Sequence, residues 1–69
     1  MIVETTATVS YVCYLTDEDA EMVREYAENE NCSLRDAVAD LYADGVINLY
    51  YESNETDFST ESIDSAAEE

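Results

Sequence analysis

The sequence predicts a small α+β domain in strand–helix–helix–strand order, two helices packed on a small antiparallel sheet, followed by an acidic C-terminal tail. Three observations predict it. Residues 2–15, IVETTATVSYVCYL, alternate with period two and are rich in β-branched and aromatic side chains. Residues 16–45 carry apolar residues at helical spacing behind two capping residues, Thr16 and Ser33. Residues 52–69 hold seven acids, no base and only two of the chain's fourteen Leu, Ile, Val and Phe residues, Phe58 and Ile63.

In the first segment Val3, Thr5, Ala7, Val9, Tyr11, Cys13 and Leu15 share one face. Glu4, Thr6, Thr8 and Ser10 share the other, until Val12 and Tyr14 break its polarity. This reads as one long strand, or as two strand segments joined near Thr5–Thr8. Thr16 stands at a helix N-cap, with three acids after it in the electropositive first turn. The first helix then runs from Asp17 to about Glu28, with Ala20, Val23 and Ala27 on its apolar face. Asn29–Asn31 end it, since asparagine tolerates left-handed backbone.

Ser33 caps the second helix, with Asp36 where a capping-box partner stands. Leu34, Ala37, Val38, Leu41 and Tyr42 make its apolar stripe, and Gly45, the only glycine, closes it after Asp44. VINLYY, residues 46–51, reads as a further strand with Ile47, Leu49 and Tyr51 on one face. Residues 1–51 are thus a single α+β domain. Residues 52–69 are a mostly disordered acidic tail with room for a short strand near 57–60.

Charge bounds the function. Eighteen acids face two arginines, Arg24 and Arg35, with no histidine, for a net charge of −16 in 69 residues. Such a field repels nucleic acids and anionic membranes and attracts basic surfaces, with rates that fall as salt rises. No apolar run is long enough to span a bilayer, and no basic secretory leader opens the chain, so a cytoplasmic location is expected. Cys13 and Cys32 accordingly read as small core thiols rather than as a disulfide.

Catalytic patterns are missing. Two distant cysteines without histidine cannot make the usual zinc set, and no histidine-based dyad is available. A calcium loop starting at Asp40 has Gly45 in its sixth place, but Tyr42 and Tyr51 occupy ligand places. No cofactor and no enzymatic activity are expected.

The distinctive pattern is two rows of carboxylates at helical spacing. Asp17, Glu21 and Glu25, extended by Glu28, form the first; Asp36, Asp40 and Asp44 form the second. Four residues of helix advance about 6 Å, close to the step between neighbouring phosphates of one nucleic-acid strand. Like charges at i, i+4 weaken a helix, so these rows need a compensating use. Tyr14 and Tyr50 are candidate aromatic anchors beside them. Tyr11 and Tyr51 fit packing on the sheet better.

The passage CYLTDEDAEMVREYAENENCSLRDAVADLYADGV resembles the ribbon–helix–helix family in layout: a strand, a capped helix, a short turn with a serine cap, and a second helix ending near glycine. That resemblance covers roughly residues 9–46 and implies a homodimer. The family's DNA contacts do not carry over, because Thr6, Thr8 and Ser10 supply the strand's polar positions with no base nearby. A dimer would also carry about −32, against the counterion release that drives DNA affinity.

In size, charge and helix-borne carboxylate rows the chain also resembles the acidic DNA mimics that phages and mobile elements encode, anti-CRISPR proteins among them. This resemblance implies an inhibitor of a basic nucleic-acid-binding protein. By analogy the target is a CRISPR effector's duplex- or PAM-recognition surface, in the cytoplasm of a host bacterium. Two alternatives stay open. One is a halophile-adapted dimeric module, whose acids form a solvated surface and whose lack of lysine suits molar salt. The other is an antitoxin-like or scaffold module whose acidic tail folds on a basic partner. Salt separates the first two: a mimic gives a helical circular-dichroism signal in low salt, whereas a halophilic module gives one only as salt rises.

Overall fold

A computed structural model describes the chain apart from residues 7–9, 53, 57 and 69. Five antiparallel strands form one sheet: β1 (Ile2–Thr6), β2 (Ser10–Tyr14), β3 (Tyr50–Tyr51), β4 (Asn54–Glu55) and β5 (Ile63–Ala67), in the order β4-β3-β2-β1-β5. Two helices, α1 (Asp17–Glu30) and α2 (Leu34–Ala43), connect β2 to β3 and cover one face. The small α+β domain with helices on an antiparallel sheet is therefore as the sequence predicts.

The N-terminal alternation resolves into two strands. Val3 pairs with Cys13 and Thr5 with Tyr11, so the apolar face of the pattern becomes the core face of both strands. Val3, Thr5 and Cys13 are fully buried, and Thr5 Oγ1 lies 3.7 Å from Cys13 Sγ, which satisfies the one buried hydroxyl of this layer. Ala7 and Val9, expected on the same face, lie outside the described residues.

Both helices start and stop by side-chain and backbone capping. Thr16 Oγ1 accepts from the Asp19 N–H at 3.2 Å, and Ser33 Oγ accepts from the Asp36 N–H at 3.1 Å. At the end of α1, Asn31 sits in the left-handed region at φ 53°, and the Cys32 N–H reaches back to the Ala27 carbonyl at 3.0 Å. At the end of α2, Gly45 (φ 76°) donates to Tyr42 and Val46 donates to Leu41, closing the same type of motif. Ala20 and Val23 from α1, and Ala37, Val38 and Leu41 from α2, meet Ile47, Leu49 and the inner sheet face.

Two expectations need correction. The strand foreseen over 46–51 is restricted to Tyr50–Tyr51. The Val46 N–H caps α2 and the Asn48 N–H binds Asp19 Oδ2 at 3.3 Å, so these donors are unavailable to a ladder. Ile47 and Leu49 are nevertheless buried, as the alternation required.

Within 52–69, expected as a mostly disordered tail, Asn54–Glu55 and Ile63–Ala67 are strands of the sheet. The Tyr51↔Asn54 pair turns the chain back through Glu52, at φ 50°. Tyr11 meets Tyr51 edge-on at 4.9 Å and Phe58 at 5.4 Å, and the Phe58 N–H donates to Tyr42 Oη at 2.7 Å. The strand foreseen near 57–60 is absent from Phe58–Thr60; residue 57 lies outside the described residues. A single 3₁₀ turn, Thr60–Ser62, leads instead into β5 on the free edge of β1.

A bulge makes that late strand possible. Val3 faces Ala66 and Thr5 faces Ile63, so Asp64 is the extra residue and Ile63 and Ala66 point to the same side. Ile63 is only 1% exposed. We expect Ile63→Ala to lower the unfolding free energy by about 2–5 kcal/mol in urea denaturation, a large share of what so small a domain holds.

Candidate functional site

The carboxylate rows fall on exposed helix surface. Asp17, Glu21, Glu25 and Glu28 are all exposed along α1, and Asp36, Asp40 and Asp44 are exposed along α2 and its cap. Local sequence explains this: the apolar residues at i, i+3 and i+4 turn one side of each helix to the core and leave the acids outside.

Partners within the chain are unevenly shared. Asp36 is paired with Arg35 at 3.2 Å, and Asp40 accepts a hydrogen bond from Tyr26 of α1 at 3.1 Å. Of the capping box at this helix start, the bond from the Asp36 N–H to Ser33 Oγ is formed. Asp17, Glu21, Glu25, Glu28 and Asp44 make no ion pair with either arginine among the described residues. Arg24 is held by Glu68 through bonds of 3.1 and 3.2 Å, and Arg35 Nε donates to the Ile63 carbonyl at 3.0 Å. Both bases of the chain are thus turned to internal work.

The placement of the acids also runs against helix electrostatics. Neither helix has a base in its last turn, where one would favour the negative end of the dipole. Glu28 and Glu30 crowd the end of α1 and Asp44 caps α2. Each unfavourable terminal charge and each like-charged i, i+4 pair costs a few tenths of a kcal/mol.

The two candidate aromatic residues are brought together. Tyr14 and Tyr50 are cross-strand partners on the sheet face opposite the helices. Tyr14 is 45% exposed, and beside it on the same face stands Val12, 47% exposed. With Leu15 and Thr16 the two tyrosines line a shallow cleft of about 260 Å³. Since Asp17 follows Thr16 directly, the first carboxylate row sets out from the residue that lines this cleft. Thr16 and Val12 are members of this surface that sequence reasoning did not single out as site residues, and the buried Leu15 underlies the cleft. The available signal was the break in polarity at Val12 and Tyr14, which marks an outer face that is not simply solvated. Tyr11 and Tyr51 face inward and pack on each other, as their alternation suggested.

Cys13 and Cys32 are free thiols. Burial pushes the Cys32 thiol up, and the neighbouring Asp36, Asp40 and Glu30 push it further, which disfavours the reactive thiolate. Among the described residues no group of His, Cys, Asp and Glu is arranged to hold a metal ion, and no helix is long and apolar enough to cross a membrane. No protein-family profile, curated protein or solved structure matches the chain.

The Tyr26–Asp40 hydrogen bond joins α1 to the row on α2. The hydrogen bond to Asp40, with burial and the Asp40 and Glu30 charges behind it, raises Tyr26 above its ordinary value of 10.0. A raised phenol contributes stability that is intact below pH 10 and is lost as pH climbs through the folded-state value. We expect Asp40→Asn to bring Tyr26 ionisation back towards 10.0, followed by the Tyr26 ring carbon in an NMR titration.

Proposed function

We propose that this chain is an acidic DNA-mimicking inhibitor that occupies the basic nucleic-acid-binding surface of a partner protein, acting as an anti-CRISPR protein on a CRISPR effector's DNA-binding site. In this reading it works in the cytoplasm of a host bacterium. The observation that carries it is the set of exposed carboxylates on α1 and at the end of α2, held at a cost to both helices while both arginines are engaged elsewhere. Regular, unneutralised negative charge on rigid helices is what a channel of Lys and Arg built for phosphates would bind. Preorganisation on helices that pack on a sheet also limits the entropy lost on docking.

The test is a tagged pull-down from a lysate containing nucleic-acid-processing complexes, at about 0.1 M and 0.5 M salt, one inside and one beyond strong screening. Capture of one basic nucleic-acid-binding protein, lost at the higher salt and displaced by duplex DNA, is the expected result. Reversing Glu21, Glu25, Asp40 and Asp44 to lysine should weaken that capture at least about fourfold, given roughly 0.2–1 kcal/mol for each exposed ion pair. Undiminished binding after the four reversals would sink the helix-row mechanism.

The absence of lysine favours a second reading, a halophile-adapted module with no specific target. Circular dichroism decides between them. We expect the helical signal to persist in low salt; a signal that appears only towards molar salt would replace the inhibitor with the halophile module.

A further inference from the structure

We propose that the cleft between Tyr14 and Tyr50 is the socket for an arginine side chain of the basic partner, an inference that rests on the inhibitor reading above. Its walls are fixed from two sides. Tyr14, Leu15 and Thr16 form the passage from β2 into α1, and Tyr50 lies opposite on β3. The Asn48 N–H bonded to Asp19 Oδ2 at 3.3 Å ties the first turn of α1 to the segment that leads into β3. The two segments that carry the tyrosines are therefore tied together by the fold.

Size and polarity narrow the occupant. About 260 Å³ is below the usual range for drug-sized ligands, roughly 300–1,000 Å³, and suits one long side chain. The lining is two phenol rings, a leucine and a threonine, with no base among them. Ile2 pairs with Tyr14 on its other side, which extends the apolar surface along which an aliphatic stem can lie.

Charge selects the sign. Asp17, Glu18 and Asp19 follow Thr16 at once, and they outweigh the half-positive end of the helix dipole. An anion would want the free N–H groups at this helix start, but Thr16 already accepts from one of them and the acids repel it. Neither arginine of the chain can fill the cleft from within, since Arg24 is on Glu68 and Arg35 on Ile63 and Asp36. Among cations, guanidinium is planar, weakly hydrated and stacks on aromatic faces, whereas ammonium keeps its water.

The test is an NMR titration of the full chain with N-acetyl-arginine methylamide, against the neutral isostere N-acetyl-citrulline methylamide. The expected result is a saturable shift of the Tyr14 and Tyr50 ring signals with the arginine probe, several-fold smaller with citrulline. Tyr14→Ala and Tyr14→Leu should each weaken the response about fivefold, while Tyr14→Phe, which keeps the ring face, stays within about twofold. Tyr14 is half exposed, so these variants keep the core, and the leucine keeps bulk without a π face. Equal shifts with citrulline, shifts confined to the helix acids, or no loss in folded Tyr14→Ala and Tyr14→Leu would each overturn the socket. Silent rings in a chain that still captures a basic partner through the rows defeat the socket alone. Responding rings with no basic partner captured defeat the inhibitor reading alone.

Discussion

The pairing of β1 with β5 is the interaction on which the remaining structure depends. It moves β1 from the edge of the sheet to its interior and sets Ile63 and Ala66 beside Thr5 and Val3 on the core face. A chain with fourteen Leu, Ile, Val and Phe residues has little apolar surface to bury, so removing two residues of this cluster from the core is costly. The two arginines both serve this last strand. Arg35 holds the Ile63 carbonyl at its start, and Arg24 holds Glu68 just beyond its end. The C-terminal strand is thus fastened by the only two bases there are.

That allocation explains the charge asymmetry of the surface. Arg24 is held by Glu68, and among the described residues Arg35 meets Asp36 alone of the row acids, so α1 presents Asp17, Glu21, Glu25 and Glu28 without an ion pair to either. The sheet's outer face is of another kind, with Val12, Tyr14 and Tyr50 among a few polar side chains. β2 is paired along its length by β1 and, at Tyr14, by β3. One side of the molecule is electrostatic, the other aromatic, and the junction of β2 with α1 is where the two meet.

The helices were legible because several local signals agreed: Thr16 and Ser33 at the starts, Asn31 and Gly45 at the stops, apolar residues at helical spacing between. The positions of the carboxylate rows followed from the same periodicity, and so did the inward turn of Tyr11 and Tyr51. Strand boundaries were less legible. Ile47 and Leu49 alternate and are buried, yet the Val46 and Asn48 N–H groups cap α2 and bind Asp19, and alternation carries no information about where a donor goes. The final strand was hidden twice over. Its composition is that of an unfolded acidic tail, and the bulge at Asp64 puts Ile63 and Ala66 on one face at a spacing of three, which erases the period of two. The pairing of Tyr14 with Tyr50 was beyond sequence reading, because 35 residues and two helices intervene between them.

The register that sets Ile2 against Ala67 has a mechanical consequence. In this antiparallel pair both ends of the chain emerge at the same corner, so tension applied across them loads the hydrogen bonds of the ladder one after another, as in a zipper, and never all at once in shear. The domain should therefore yield at low force when drawn from its termini. A pull applied from the C-terminal side of β5 would peel this strand away and uncover Val3 and Thr5.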